Sequence, residues 1–483
     1  MNEQITKTAP SDLYIGGRWV EGSGGDRFDV LNPADQTVLA SVASGTVEDA
    51  IKAIDAAEAA FADWAGRSPR ERAEILRKAW ELIIADKERF ARLITLENGK
   101  PLSDARGEVA YAAEFFRWYA EEAVRNRGEV MMSPASGARI LVQHKPAGIG
   151  VLVTPWNFPA AMGTRKIGPA LAAGCPVVIK PASATPLTML ALMPVLEQAG
   201  VPAGVVNVVP SKSSGKIVDA MLHDSRVRVV SFTGSTEVGR TLLKSAADNI
   251  VNPAMELGGN APFIVCDDAD LDKAVEGAIL AKMRNIGEAC TAANRFFVHD
   301  KVYDSFAEKL TKRMGAMKMG NGLEDGVEVG SLVNADTRNK VAELVDDAVK
   351  RGAKVLCGGE VPEGAGYFYP ATVLGDVAPD SKCVSEEIFG PVAALQRFSD
   401  DDEMIAKAND TEYGLVGYLF TGDMKRGLAL SERLEYGMVG LNRGLVSDPA
   451  APFGGVKQSG IGREGSHEGL KEFQETQYIS VEW

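Results

Sequence analysis

GVLVTPWNFPAAMGTRKIGPALAAGCPVVIK runs from position 150 to 180. It opens on a short apolar, β-branched run, GVLVT, and closes on another, PVVIK. A stretch with helical character lies between them. The pattern repeats downstream. VVNVV at 205–209 and VRVVSF at 227–232 are the next such runs, and TPLTMLALMPVLEQAG at 185–200 is one of the helix-like stretches between them. Strand and helix in alternation predict a parallel, doubly wound sheet. Strands that are apolar throughout predict cover on both faces.

A second alternation follows Met255. APFIV (261–265), RFFVH (295–299), KVLCG (354–358) and VAALQRF (392–398) read as strands, with DLDKAVEGAILAKM (270–283) as a helix among them. This predicts a second α/β unit. Upstream, LYIGGRWV at 13–20 is strand-like. Ser68-Pro69-Arg70-Glu71 is a helix start, with Ser as N-cap, Pro in the first position and Glu in the third. Apolar residues then recur at helical spacing through Phe90 and Leu93 to an exit at Gly99. The segment 127–145 reads as a hairpin around SPASG, and 473–481 as a last strand.

At 483 residues the chain exceeds what one core usually serves. A net charge of −14 argues against nucleic-acid and anionic-membrane partners. Five scattered cysteines form no disulfide framework. The start, MNEQITKTAPSD, has no apolar leader segment, and no run is long and apolar enough to span a bilayer. A cytoplasmic protein is expected.

Candidate chemistry is spread along the chain. The four histidines lie far apart and none neighbours a cysteine at ligand spacing, so no metal site is expected. There is no GxGxxG after a strand and no GxSxG elbow. The segment 234–241, GSTEVGRT, resembles a P-loop with Arg in place of Lys. It follows a strand and opens a helix, so it is either a pyrophosphate cradle or a plain turn. Asn157 in TPWNFP stands at a strand's carboxyl end, where open α/β sheets bind ligands, or it bonds its own turn. Glu256 in MELGGN is a general base or part of a solvated turn. Cys290 is a nucleophile among small neighbours or a packed core thiol.

Together these pieces resemble the aldehyde dehydrogenase superfamily. TPWNFP, KPAS (180–183), FTGSTEVG (232–239), MELGGN, GEAC (287–290), EEIFGPV (386–392) and APFGGVKQSGIGREG (451–465) occur in that family's order. TRKIGPAL (164–171), MRN (283–285) and GLVSDPAAPFGG (444–455) are most similar to its succinic semialdehyde dehydrogenases, with glutaric semialdehyde enzymes as near neighbours. The resemblance implies a Rossmann-like cofactor domain (1–126 and 147–256), a catalytic α/β domain (257–445) and a β oligomerisation arm (127–146 and 466–483). It implies Cys290 as nucleophile, Asn157 with the Cys290 N–H as oxyanion donors, and Glu256 as base. It places Trp156, Lys180, Ser183, Gly234, Ser235, Glu387 and Phe389 on the cofactor, and Arg165, Arg284 and Ser447 on the substrate carboxylate. Ser183 stands where relatives preferring NAD often carry Glu, which favours NADP with NAD use retained. A homodimer or homotetramer is implied. An inactive relative kept for binding is the alternative that the trio of Cys290, Glu256 and Asn157 speaks against.

Three departures stand out. Ala292 replaces a second cysteine common in the nucleophile loop. Glu288 replaces the usual Gln and would oppose a thiolate if it pointed inward. NVVPSKSSG (207–215) lacks the common NVVTG turn.

Overall fold

The computed structural model describes residue 5 and residues 9–482. Residues 1–4 and 6–8, part of the start read above as leaderless, and residue 483 lie outside the described residues.

Five parallel strands form the centre of the first sheet, in the order Asn252–Glu256, Val227–Thr233, Ile149–Val153, Val177–Lys180, Val206–Val208. Antiparallel pieces flank them: Gly460–Ile461 beside Asn252–Glu256, and the hairpin Leu13–Ile15 with Arg18–Val20 at the other edge. The chain enters at Ile149–Val153, builds outward in one direction, then returns to build in the other. The reversal of strand order therefore falls between Ile149–Val153 and Val227–Thr233, and a crevice opens beyond their carboxyl ends. TPWNFP and FTGS are the two segments that leave those ends.

The second sheet runs Lys354–Cys357, Thr372–Gly375, Val392–Phe398, Ala293–His299, Ala261–Val265, Val416–Phe420, Met438–Leu441. Only the first of these is antiparallel to its neighbour. Four residues link Glu256, last in its strand, to Ala261, first in its own. The carboxyl edge of one sheet thus meets the amino edge of the other. Strands in the middle of both sheets are buried at every position, as their uninterrupted apolar runs predict.

Glu129–Met132 pairs with Arg139–Pro146 as the predicted hairpin, and Gln474–Val481 adds the third strand. Val130, Met132 and Tyr478 are exposed on it. The helix at Pro69 starts as read, with Ser68 and Glu71 forming a reciprocal capping box. The continuous apolar run behind it is, however, two helices, Pro69–Ala85 and Lys87–Asn98, broken at Asp86. The second ends on Gly99 at φ 96°, where an added Cβ would lie 2.4 Å from the Ser331 carbonyl oxygen. Among the described residues no helix is long and apolar enough to cross a membrane.

Candidate active site

Asn157 is buried at the mouth of the first sheet. Its Nδ2 donates to the Glu288 carbonyl at 3.1 Å, across 131 residues of chain, and not to its own turn. Its backbone carbonyl accepts from Lys100 Nζ at 2.7 Å and from Asn285 Nδ2 at 2.9 Å. The loop that carries Cys290 is therefore tied directly to the loop that carries Asn157.

The loop that carries Cys290 is strained. Asn285 and Ile286 sit at φ 56° and 59°, a conformation that costs energy in residues with side chains and persists only where surroundings hold it. The holders are visible. Asp104 Oδ2 accepts the Asn285 N–H at 2.8 Å, and Tyr418 Oη donates to the Thr291 carbonyl at 2.8 Å. Gly259 lies so near the Cys290 carbonyl that an added Cβ would be 2.4 Å from its oxygen. This is the close approach that the glycines of MELGGN permit. Arg284 leaves the helix Leu271–Met283 at its cap instead of riding on it.

Burial pushes the Cys290 thiol up to about 12, with Glu387, Glu256 and Glu464 adding to the effect and Arg165 opposing it. Glu256 ends its strand almost fully buried, and neither carboxyl oxygen has a hydrogen-bond partner. Burial, reinforced by Glu464, raises it well above the usual carboxylate range against Arg165, Lys166 and Arg463. Glu464 is itself buried. Arg165 and Lys166 outweigh that burial and hold it ionised, each in an ion pair with it. Glu288 does not point at the thiol. Its Oε1 accepts the Val333 N–H at 3.0 Å, and burial pushes it up to about 8.

A cavity of about 410 Å³ is lined by Tyr111, Phe158, Arg284 and Ser447 among others. Arg284 Nη1 donates to Ser447 Oγ at 3.2 Å, and its guanidinium lies 5.0 Å from the Phe158 ring centroid. Arg165 is not part of this lining. It is buried, with its guanidinium 4.2 Å from the Phe453 ring centroid.

A second cavity, of about 340 Å³, is lined by Trp156, Asn157, Gly234, Ser235, Cys290, Glu387 and Phe389, with others. Trp156 and Phe389 meet edge to face at 5.4 Å. Ser235 caps the helix Thr236–Asp248, so the strand–turn–helix expected of the P-loop-like stretch is present. Glu387 Oε1 accepts the Gly259 N–H at 3.1 Å, and burial pushes its carboxyl up to about 7. Lys180 is buried and pushed down to about 8 by burial alone, with no acid against it. Lys180 and half-buried Ser183 stand outside this cavity's lining.

Several members of the site escape a reading of the sequence. Phe158, Phe453 and Glu464 lie inside quoted motifs without being singled out. Tyr111, Lys100 and Glu108 lie in helical surroundings where nothing marks them. Among the described residues no cluster of His, Cys, Asp and Glu is placed to hold a metal ion.

The pairing of a cysteine with a buried carboxylate and a facing amide, between two α/β sheets, defines the class: the chain belongs to the aldehyde dehydrogenase family, whose model matches residues 19–479. Within it, the chain is 53% identical over 444 residues to a succinate-semialdehyde dehydrogenase of Paenarthrobacter nicotinovorans, covering 92% of this chain and 99% of that protein. It is 49% identical over 468 residues to a glutarate-semialdehyde dehydrogenase of Pseudomonas putida, covering 97% of each. The crystal structure of an E. coli NADP dependent enzyme superposes with a TM-score of 0.97 at 47% identity, covering 99% of both chains.

Proposed function

We propose that the protein oxidises succinic semialdehyde to succinate with NADP, and accepts NAD less well. The observation that carries the substrate is Arg284 bonded to Ser447 in a cavity that Tyr111 and Phe158 also line. A guanidinium matches a carboxylate in charge and shape. The relatives named above carry succinate- and glutarate-semialdehyde in their names, so both aldehydes belong in the assay.

A dinucleotide suits the other cavity. The amino end of the helix Thr236–Asp248 favours a pyrophosphate. Lys180, buried without an acid, has its charge to offer to a ribose or phosphate. Ser183 adds a hydroxyl and no negative charge, which tolerates a 2′-phosphate. When bound, the nicotinamide cofactor supplies the hydride acceptor for the oxidation.

The chain's own residues do the rest. Cys290 gives up its proton to water, an ionisation that Arg165 favours, and Sγ attacks the aldehyde carbon as a thiolate. The resulting oxygen anion takes the second Asn157 Nδ2 hydrogen and the Cys290 backbone N–H. Oxidation leaves the acyl group on Cys290 as a thioester. Glu256 takes a proton from water, which attacks that thioester and frees the acid. The raised carboxyl of Glu256 makes it a better base than an ordinary glutamate once ionised.

In the same reading, residues 1–126 and 147–256 hold the cofactor, 257–445 carry the catalytic thiol, and 127–146 with 466–483 pair two or four copies. Residues exposed on the three-stranded sheet, Val130 and Tyr478 among them, support that last assignment. Free cysteines fit a reducing cytoplasm.

The test is reduction of NADP and NAD with succinic, glutaric and uncharged aldehydes, on wild type and Cys290→Ala. The variant should bind cofactor and show no aldehyde-dependent reduction, and substantial residual turnover would contradict the assignment. Ser183→Glu should swing preference toward NAD. A wild type that strongly prefers NAD, unchanged by the substitution, would remove the case for NADP.

A further inference from the structure

Asn157 must aim one amide hydrogen at a developing oxyanion, and two of the groups that fix the backbone there come from one turn far upstream. Asn98 and Lys100 flank the left-handed Gly99. Asn98 Nδ2 donates to the Trp156 carbonyl at 3.1 Å, and Lys100 Nζ donates to the next carbonyl, that of Asn157, at 2.7 Å. Lys100 is fully buried and ion-paired with Glu108 at 2.5 Å, over the Phe158 ring at 4.2 Å. The other Glu108 oxygen accepts the N–H groups of Ala160 at 2.8 Å and Ala161 at 3.3 Å. Those residues begin the helix Ala161–Ala173, which carries Arg165.

A buried ion pair is a weak device for stability, because desolvating both charges offsets their attraction. This pair directs its remaining hydrogen-bonding capacity to the site's backbone, at Asn157 on one end and at the Arg165 helix on the other. A ring of hydrogen bonds completes the lock. Asn285 Nδ2 reaches both the Asn157 carbonyl and the Glu288 carbonyl (2.8 Å), and the latter accepts Asn157 Nδ2.

We propose that Lys100 and Glu108 are positioning residues for the oxidation: their buried pair fixes the Asn157 main chain so that its side-chain amide faces the oxygen of an aldehyde bound at Cys290. The inference rests on the functional reading above.

Removing one charge alone would strand the other in the core, so the variant is Lys100→Met with Glu108→Gln. Methionine replaces the lysine stem and glutamine keeps an acceptor for Ala160. The melting temperature, NADP affinity by protein-fluorescence titration, and the rate of the first turnover after rapid mixing are measured. The folded double variant should keep NADP affinity and aldehyde KM within about threefold. Its first-turnover rate should fall roughly 100- to 1,000-fold, the scale of one lost oxyanion donor. Asn157→Ala added to that background should cost little more, whereas in wild type it costs the full loss. A first turnover within about threefold of wild type, or an equal Asn157→Ala cost in both backgrounds, would overturn the proposal. If the double variant does not fold, Glu108→Asp decides. It keeps both charges and draws Lys100 away from Asn157, so a slower first turnover at unchanged KM supports the proposal and an unchanged rate overturns it. A wild type unable to oxidise the aldehyde would instead sink the functional reading.

Discussion

The wall around Arg284 and the wall around Arg165 hold the same side chain in opposite surroundings. Arg284 is half-buried, lines the cavity of about 410 Å³, bonds a serine hydroxyl and lies against two aromatic rings. It forms no ion pair among the described residues. Its acidic neighbour Asp104 is engaged by the Asn285 N–H. Arg165 is buried off that cavity, with its charge met by Glu464. It is the foremost group favouring ionisation of Cys290. An arginine held in no ion pair can grip a ligand. An arginine already matched by a buried acid sets the potential at the reacting atoms. The family resemblance implies one shared role on the substrate carboxylate, and from these environments we propose two.

Replacing Arg165 with methionine is the harshest way to break that contrast. It leaves Glu464 buried with only Lys166 and removes the main positive potential at the thiol. A lost buried partner costs about 3–5 kcal/mol in stability. kcat/KM should fall more than about 100-fold for succinic semialdehyde and butanal alike, since the thiolate serves both. A loss confined to the charged aldehyde would restore a shared role. Arg284→Ala should cost about 10- to 150-fold with succinic semialdehyde, the worth of a charge-assisted hydrogen bond. Butanal, with no carboxylate, should lose much less. Comparable losses on both aldehydes would make Arg284 structural. Ser447→Ala should follow the Arg284 pattern at roughly 2- to 10-fold, the scale of a neutral hydrogen bond.

The smallest effect belongs to Glu288→Gln, which should leave kcat unchanged because the carboxyl faces Val333. Its signature is in stability. The folded protein holds the Glu288 proton up to about 8, against 4.5 for an ordinary glutamate. This contribution to stability is therefore whole below the ordinary value and is lost as pH rises toward about 8. Thermal unfolding of variant and wild type should diverge in the variant's favour between those pH values. Parallel curves would mean that Glu288 is ionised in the folded protein.

Much of this architecture can be read before any coordinates. The strands at 149–153, 177–180 and 227–233 are legible because both faces are covered, so their apolar runs are unbroken. The break at Asp86 is not, because the apolar period carries across it. Asn157, Glu256, Cys290, Glu387 and Phe389 are legible through motifs of small residues and prolines around them. Lys100, Glu108, Lys166 and Glu464 are not, because a lone charge within a helix or loop ordinarily reads as solvated. Lys166 and Glu464 are 298 residues apart, a pairing that only the closed fold reveals.

The central claim is that Cys290 carries the acyl group and Glu256 releases it. The most direct measurement is intact-protein and peptide mass spectrometry of Glu256→Gln mixed with succinic semialdehyde and NADP. One succinyl group should appear on the peptide bearing Cys290, after a stoichiometric burst of reduced cofactor, and none when Cys290 is also replaced by alanine. A burst without an adduct, or a succinyl group attached elsewhere, would contradict the account.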